Sequence, residues 1–254
     1  MNTTKPRKST TGLCSVTFRK RGIAEVAKIC ACAGLDGIEW GGDIHVPPGN
    51  IQAAKQAADA TAAHNLKVLS YGSYYRGEPR DEIKPVLQSA AALGTKTVRV
   101  WAGSCDYQEV EPDYIKIISS NIKAAAKTAA DQGITLCFEF HGKTLCNSAD
   151  NTIKMLARID EPNVKTYWQT LGSVEHNLAA IENLNNRVAA AHIFHWVNGR
   201  RLALKKGADV WIKYLAALKK HAPDAPLIME FVRRDSPNAL IKDAKSLLFW
   251  LGNG

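Results

Sequence analysis

The sequence predicts a single-domain α/β protein, a closed (β/α)8 barrel, on three observations. Short apolar runs of strand character recur at roughly 12–18, 36–40, 67–71, 97–102, 134–140, 164–169, 188–195 and 226–232. Segments of helical periodicity separate them, and such alternation implies parallel pairing through right-handed crossovers. The chain has 254 residues, a length at which such barrels form as one domain. The competing fold, a doubly wound open sheet, usually carries a Gly-rich phosphate loop after its first strand. Here "SVTFRKRG" follows instead, and neither GxGxxG nor GxxxxGK[ST] occurs.

The elements follow in order. The opening "MNTTKPRKSTTG" is polar and basic with no apolar core of a secretory signal, so residues 1–11 are expected as a flexible tail and 12–254 as the barrel. "IAEVAKICACAG" reads as a helix stopped by Gly34, and "NIQAAKQAADATAAHNL" as one capped by Asn50. "YIKIISSNIKAAAKTAADQG" is a long helix closed by Gly133. In "NSADNTIKMLARI" the cap is Asn147 or Ser148, and "SPNALIKDAKSLLFWLG" closes the chain as a helix.

Composition narrows the function. Hydrophobic residues are 46% and charged residues 22%, which predicts a sizeable core rather than disorder. No run approaches the roughly 20 apolar residues of a membrane span. Six cysteines without a CxxC pair argue against a zinc ribbon and for reduced thiols, hence a cytoplasmic protein. The net charge is +9, much of it on lysines of helix surfaces (Lys116, Lys123, Lys127, Lys213, Lys219 and Lys220). That pattern reads as a solvated face, because no dense basic run with interleaved aromatics marks a nucleic-acid surface.

Catalytic groups of such barrels sit at the C-terminal strand ends. Glu139 lies in the apolar run Leu136-Cys137-Phe138-Glu139-Phe140, where a carboxylate needs a cation or donors to offset lost hydration. Gln169 ends the sixth run, His192 and His195 lie on the seventh, and Glu230 on the eighth. Each step from 139 to 169, 192 and 230 is about one strand–helix unit, so four successive strands offer oxygen or imidazole ligands at one rim. Taken singly, each residue has an ordinary structural reading: a core histidine, a helix cap, or a pairing of Glu230 with Arg233 or Arg234. Their coincidence favours a metal site. Two carboxylates, an amide oxygen and an imidazole suit Mn²⁺ or Mg²⁺, with Co²⁺ or Zn²⁺ as alternatives.

From "GLDGIEWGGDIHVPPG" in the second unit to "IMEF" in the eighth, the chain resembles the sugar phosphate isomerase/epimerase superfamily, the xylose-isomerase-like TIM barrels. The resemblance implies one divalent ion, Mn²⁺ first, held by Glu139, Gln169, His192 and Glu230. "HIFH" resembles the seventh-strand pattern His-x-x-Asp/Glu, with His192 as ligand and His195 in the acidic position. Strand alternation turns these two histidines to opposite sides. Gln169 stands where the resemblance expects Asp, which removes a negative charge. Ketose 3-epimerases carry a His and an Arg where Gly172 and Asn198 stand here, with Arg200 and Arg201 close by. Endonuclease IV needs further His and Asp ligands, which strand ends Tyr71-Gly72 and Trp101-Ala102 do not supply.

The implied activity is a metal-dependent isomerase or epimerase of a small sugar or keto-sugar, acting through an enediolate, with Glu139 and Glu230 as the proton-transferring pair. A lyase or dehydratase acting on a keto-sugar or inosose is the alternative. Less favoured are an abasic-site endonuclease-like enzyme and a non-catalytic carbohydrate-binding barrel. Expected substrate contacts are His45 in the loop after strand two, Tyr71 and Arg76 with Tyr74 and Tyr75 around strand three, Trp101, His141, His195, Trp196 and Arg200. No membrane or nucleic-acid partner is expected, and a homo-oligomer is left open.

Overall fold

A computed structural model describes residues 9–252. Eight strands close into a barrel: β1 (Thr11–Cys14), β2 (Gly37–Gly41), β3 (Lys67–Gly72), β4 (Thr97–Val100), β5 (Thr135–Phe138), β6 (Val164–Trp168), β7 (Val188–Ile193) and β10 (Leu227–Met229). The order around the barrel is β1-β10-β7-β6-β5-β4-β3-β2, with every pair parallel. A two-stranded antiparallel hairpin, β8 (Trp196–Val197) and β9 (Arg200–Arg201), rises from the loop after β7. Its turn is Asn198-Gly199, both left-handed at φ 48° and 71°, the pairing that a two-residue hairpin turn favours.

Among the described residues eight α-helices cover the barrel: α1 (Ile23–Cys32), α2 (Ile51–Ala63), α3 (Ile83–Leu93), α4 (Pro112–Ala130), α5 (Ala149–Ile159), α6 (Val174–Leu184), α7 (Ala208–His221) and α8 (Pro237–Gly252). The expected stop signals work as read: Gly34 and Gly133 are left-handed. Asn50 Oδ1 accepts the Ala53 N–H at 3.0 Å. The α5 cap is Ser148, whose hydroxyl accepts from Asn151 N at 3.2 Å, while Asn147 accepts from the Asn151 side chain. Strands are shorter than their apolar runs: β1 ends at Cys14 and the chain turns into a 3₁₀ segment, Ser15–Phe18.

Residues 1–8 of the expected tail lie outside the described residues. Thr11 is already strand and fully buried, and its N–H and hydroxyl both bond the Asp36 carboxylate at 2.8 Å. Lys116, Lys127, Lys213, Lys219 and Lys220 are exposed, and Lys123 is half-buried beside Glu161. Among the described residues no helix is long and apolar enough to cross a membrane, and all six cysteines are free.

The main core lies between strands and helices, and a smaller apolar cluster that includes Cys14, Cys137, Tyr167 and Ile228 fills the barrel interior. The barrel closes tightly at β2. A Cβ on Gly37 would sit 2.4 Å from the Lys67 carbonyl oxygen on β3, and backbone cannot yield there without breaking the ladder. Gly37→Ala is therefore expected to cost about 1–3 kcal/mol or more, read as a lower urea midpoint. Gly142→Ala, with nothing within 4 Å, should change stability by less than about 0.5 kcal/mol.

Candidate active site

Strand alternation decides which groups face the barrel axis. Cys137, Tyr167 and Ile228 point inward, so Glu139, Gln169 and Glu230, two residues further on, do the same at the C-terminal mouth. His192 points inward from β7, paired in register with Ile228. Glu39 of β2 and Arg99 of β4 also face inward. Glu39, Arg99, Glu139, His192 and Glu230 are all buried.

Arg99 organises this cluster. Its Nε donates to Glu39 Oε1 at 3.2 Å, and its Nη1 donates to Glu139 Oε2. Ser70 Oγ donates to Glu39 Oε2 at 2.8 Å and Cys14 Sγ to Oε1 at 3.1 Å. Trp101 Nε1 donates to Glu139 Oε2 at 2.7 Å. Gly72 leaves room for the guanidinium, since a Cβ there would lie 2.8 Å from Arg99 Nη2 and 3.0 Å from Glu39 Oε1. Burial opposes ionisation of Glu39 and Glu139. The Arg99 guanidinium and His192 outweigh it and hold both well below the usual carboxylate range. Glu230 has no hydrogen bond from Arg99, and burial with the neighbouring carboxylates pushes it up.

Four donor atoms converge beyond Arg99. His192 Nδ1 lies 3.3 Å from Gln169 Oε1, 3.4 Å from Glu139 Oε1 and 3.6 Å from Glu230 Oε2. Gln169 Nε2 donates to the Phe140 carbonyl, so its oxygen is the atom turned to His192. On the far side of the imidazole, Nε2 faces Glu39 Oε1 at 3.4 Å, longer than an ordinary hydrogen bond. Burial lowers the basicity of His192, but the three carboxylates outweigh it and raise its pKa to about 10. The cluster therefore demands positive charge.

These separations fit a metal ion. Ligands at about 2.1 Å from one ion stand about 3.0 Å apart in octahedral and about 3.4 Å in tetrahedral geometry. Glu139, His192 and Glu230 form a group whose ligand atoms all lie within 4.8 Å of one another. Glu139 commits Oε2 to Arg99 and Trp101 and keeps Oε1 for the pocket. Glu39 behind His192 stands where a carboxylate orients a ligating imidazole.

A cavity of about 300 Å³ opens above these groups. Tyr74, Trp101 and His141 line one side and Phe194, Trp196 and Phe231 another, with Arg19 at the rim. Phe231 has φ 52°, a strained conformation for a bulky residue that costs about 1–3 kcal/mol. Its N–H donates to Thr17 Oγ1 at 3.1 Å, which holds the turn directly after Glu230.

The profile of the family described as xylose isomerase-like TIM barrel matches residues 27–250. The chain belongs to that family. Solved structures agree on the fold. The probable 3-DHS dehydratase AsbF from Bacillus anthracis superposes with TM-score 0.81 at 15% identity, over 94% of this chain and 98% of that one. A D-allulose 3-epimerase from Methylomonas sp. gives 0.73 at 16%, over 97% and 98%. A 3-keto-D-glucoside 4-epimerase from E. coli gives 0.72 at 17%, over 97% and 100%. No curated protein matches in sequence.

Within this xylose isomerase-like barrel, several expected substrate contacts stand elsewhere. His45 is buried; Nε2 bonds the Arg21 carbonyl and Nδ1 the Ser15 hydroxyl, both at 3.0 Å. Both nitrogens are spent fastening the β2 loop to the segment that follows β1. Tyr71 is fully buried and donates to the Val46 carbonyl at 2.8 Å. Arg76 lies over the Trp101 ring at 4.1 Å and bonds the Gly103 carbonyl, behind the cavity wall. His195, two residues beyond the end of β7, turns away from His192 into a separate depression near Trp211. Arg200 is exposed on the hairpin, and its neighbour Arg201 contacts the Trp196 and Phe231 rings. Trp101, His141 and Trp196 do line the cavity.

Sequence reasoning missed both Arg99 as the partner of Glu139 and Glu39 as the second carboxylate on that guanidinium. Both carry the signal that exposed Glu139: an ionisable residue between apolar neighbours in a strand, "TVRV" and "GIEWG". Replacing Arg99 by Met leaves two buried carboxylates without their cation, which should cost about 3–5 kcal/mol. Urea unfolding of Arg99→Met measures this; a loss below about 1 kcal/mol would show that the guanidinium is not what holds Glu39 and Glu139.

Proposed function

We propose that this chain is a divalent-metal-dependent isomerase or epimerase of a small sugar or sugar derivative, acting by proton transfer beside a carbonyl. The observation that carries this reading is the convergence of Glu139 Oε1, Gln169 Oε1 and Glu230 Oε2, from residues that line a small cavity, on His192 Nδ1 buried just beneath it. These residues would hold the ion, Mn²⁺ first by their hard donor character, with Mg²⁺, Co²⁺ or Zn²⁺ also suited. Bound there, it would act as a Lewis acid that polarises a substrate carbonyl.

The chain's own residues do the rest. Glu139 on β5 and Glu230 on β10 flank the floor, with β6 and β7 between them. One carboxylate takes the proton from the carbon beside the carbonyl, leaving an enediolate, and the other returns a proton. Return to the same carbon from the opposite face inverts it; return to the neighbouring carbon, with the hydroxyl proton passing from one enediolate oxygen to the other, moves the carbonyl. Such general acid–base help is typically worth about 10²–10⁴ in rate. Arg99 and Trp101 keep Glu139 ionised and fix its orientation. The aromatic lining excludes water that would protonate the intermediate.

A lyase is the second reading. Tyr74 lines the cavity, its oxygen accepts from Arg19 Nη2 at 3.2 Å, and burial raises its pKa, so it remains a phenol with a proton to give. It could protonate a departing β-hydroxyl, releasing water.

The test is deuterium entry next to the carbonyl when ketoses, 3-keto sugars and inososes are incubated in D₂O with Mn²⁺. Exchange should stop on chelation and fall about 10²-fold or more in Glu139→Gln. Mn²⁺ titration followed by electron paramagnetic resonance should show one site, weakened in His192→Ala. Full turnover after chelation together with an active Glu139→Gln would overturn the reading. A product lighter by one water selects the lyase.

A further inference from the structure

The cavity has two aromatic walls on opposite arcs of the barrel. Tyr74, Trp101 and His141 follow β3, β4 and β5. Trp101 stacks on His141 at 4.2 Å with 21° between planes, and Tyr74 leans on Trp101 at 5.4 Å. Phe194, Trp196 and Phe231 follow β7 and β10, with ring centroids 5.9 and 5.7 Å apart in succession. Each wall has a guanidinium at its ring faces: Arg76 at 4.1 Å from Trp101, and Arg201 at 4.8 Å from Phe231 and 5.3 Å from Trp196. In the closed order, β6 with Gln169 separates the arcs on one side, and β1 and β2 separate them on the other. The loop after β1 brings Arg19 to that second gap.

The result is a cavity with aromatic lining on two arcs and polar groups between them. A six-membered ring with equatorial hydroxyls has the matching distribution. Its C–H groups gather on the two faces and its hydroxyls and carbonyl lie around the edge. An acyclic polyol turns hydroxyls to every side, and those against the aromatic faces would lose their water without a partner. A volume of about 300 Å³ is at the small end for ligand cavities and suits one such ring.

The two arginines that line the cavity are already paired. Arg19 Nε donates to Asp43 at 2.6 Å and its Nη1 to the Val16 carbonyl at 3.1 Å. Arg99 is shared between Glu39 and Glu139. Among the described residues no lysine lines the cavity, whereas Glu139 and Glu230 do. A phosphate or carboxylate on the substrate would find no unpaired arginine or lysine among the lining residues, despite the net charge of +9.

We infer that the substrate is an uncharged ketone of one six-membered ring, a keto-pyranose or keto-cyclitol, standing edge-on to the floor between the two walls. This rests on the proposed isomerase, epimerase or lyase reading of the same site and names its substrate class.

The test uses matched probes with the Mn²⁺-loaded protein, read by quenching of tryptophan fluorescence. Cyclic myo-inositol and acyclic mannitol have six carbons and six hydroxyls each; myo-inositol 1-phosphate adds charge. Myo-inositol should bind about tenfold or more tighter than mannitol, the difference one good wall contact supplies. The phosphate should bind no tighter than myo-inositol. Trp196→Ala, a change at a residue 43% exposed on the hairpin, should bring the ring-to-chain ratio to about threefold or less. Equal or better binding of mannitol, tighter binding of the phosphate, an unchanged ratio in Trp196→Ala, or no binding by any probe would overturn the inference. Failure to bind Mn²⁺ in the resonance titration would instead overturn the reading beneath it.

Discussion

A buried guanidinium with two carboxylates is the constraint on which the site depends. Arg99 stands 2% exposed inside the barrel, where an unpaired charge would be expensive. Its two ion pairs join β2 to β5 through β4, three strands of the mouth. Gly72 on the intervening β3 is small because that ion pair passes over it. The same contacts leave Glu139 one oxygen directed at the pocket and place Glu39 behind His192. Fold and site are therefore not separable here: the network that closes this arc of the barrel also aims the groups of the mouth.

The opposite arc is built differently. Glu230 has no guanidinium hydrogen bond, and the chain beyond it twists through a left-handed Phe231. That turn, fastened by Thr17, brings an aromatic ring beside Trp196 of the hairpin. Arg201 pairs with Asp235 and touches both rings, so hairpin and β10 loop are tied together. Both sides of the mouth thus carry aromatic rings, while the fixed charge of Arg99 lies on one of them. A polar floor between aromatic sides suits a substrate whose reactive edge is polar and whose faces are not.

Much of this was legible in the sequence, and the reasons are physical. Period-two apolar runs between amphipathic segments have few solutions, and Asn50, Gly34 and Gly133 act locally. Glu139, Gln169, His192 and Glu230 were readable because a polar group inside or ending an apolar strand has a fixed direction. Arg99 and Glu39 had equally clear signals, but a pair separated by 60 residues reveals itself only when the barrel closes. The rim was least legible. Once a strand ends, alternation no longer sets direction, and His45 turns to Ser15 and Arg21 instead of the cavity. On the hairpin, the Asn198-Gly199 turn sets a register that pairs Arg201 with Trp196, which the clustering of two arginines in sequence does not disclose.

The central claim is that four side chains from four neighbouring strands form one metal site while Arg99 remains in place beside it. Anomalous diffraction from crystals grown with Mn²⁺ addresses it most directly. The account predicts a single strong peak bonded to Glu139 Oε1, Gln169 Oε1, His192 Nδ1 and Glu230 Oε2, with Arg99 still on Glu39 and Glu139. A mouth without an anomalous peak at saturating Mn²⁺, or an ion bound elsewhere, would contradict it.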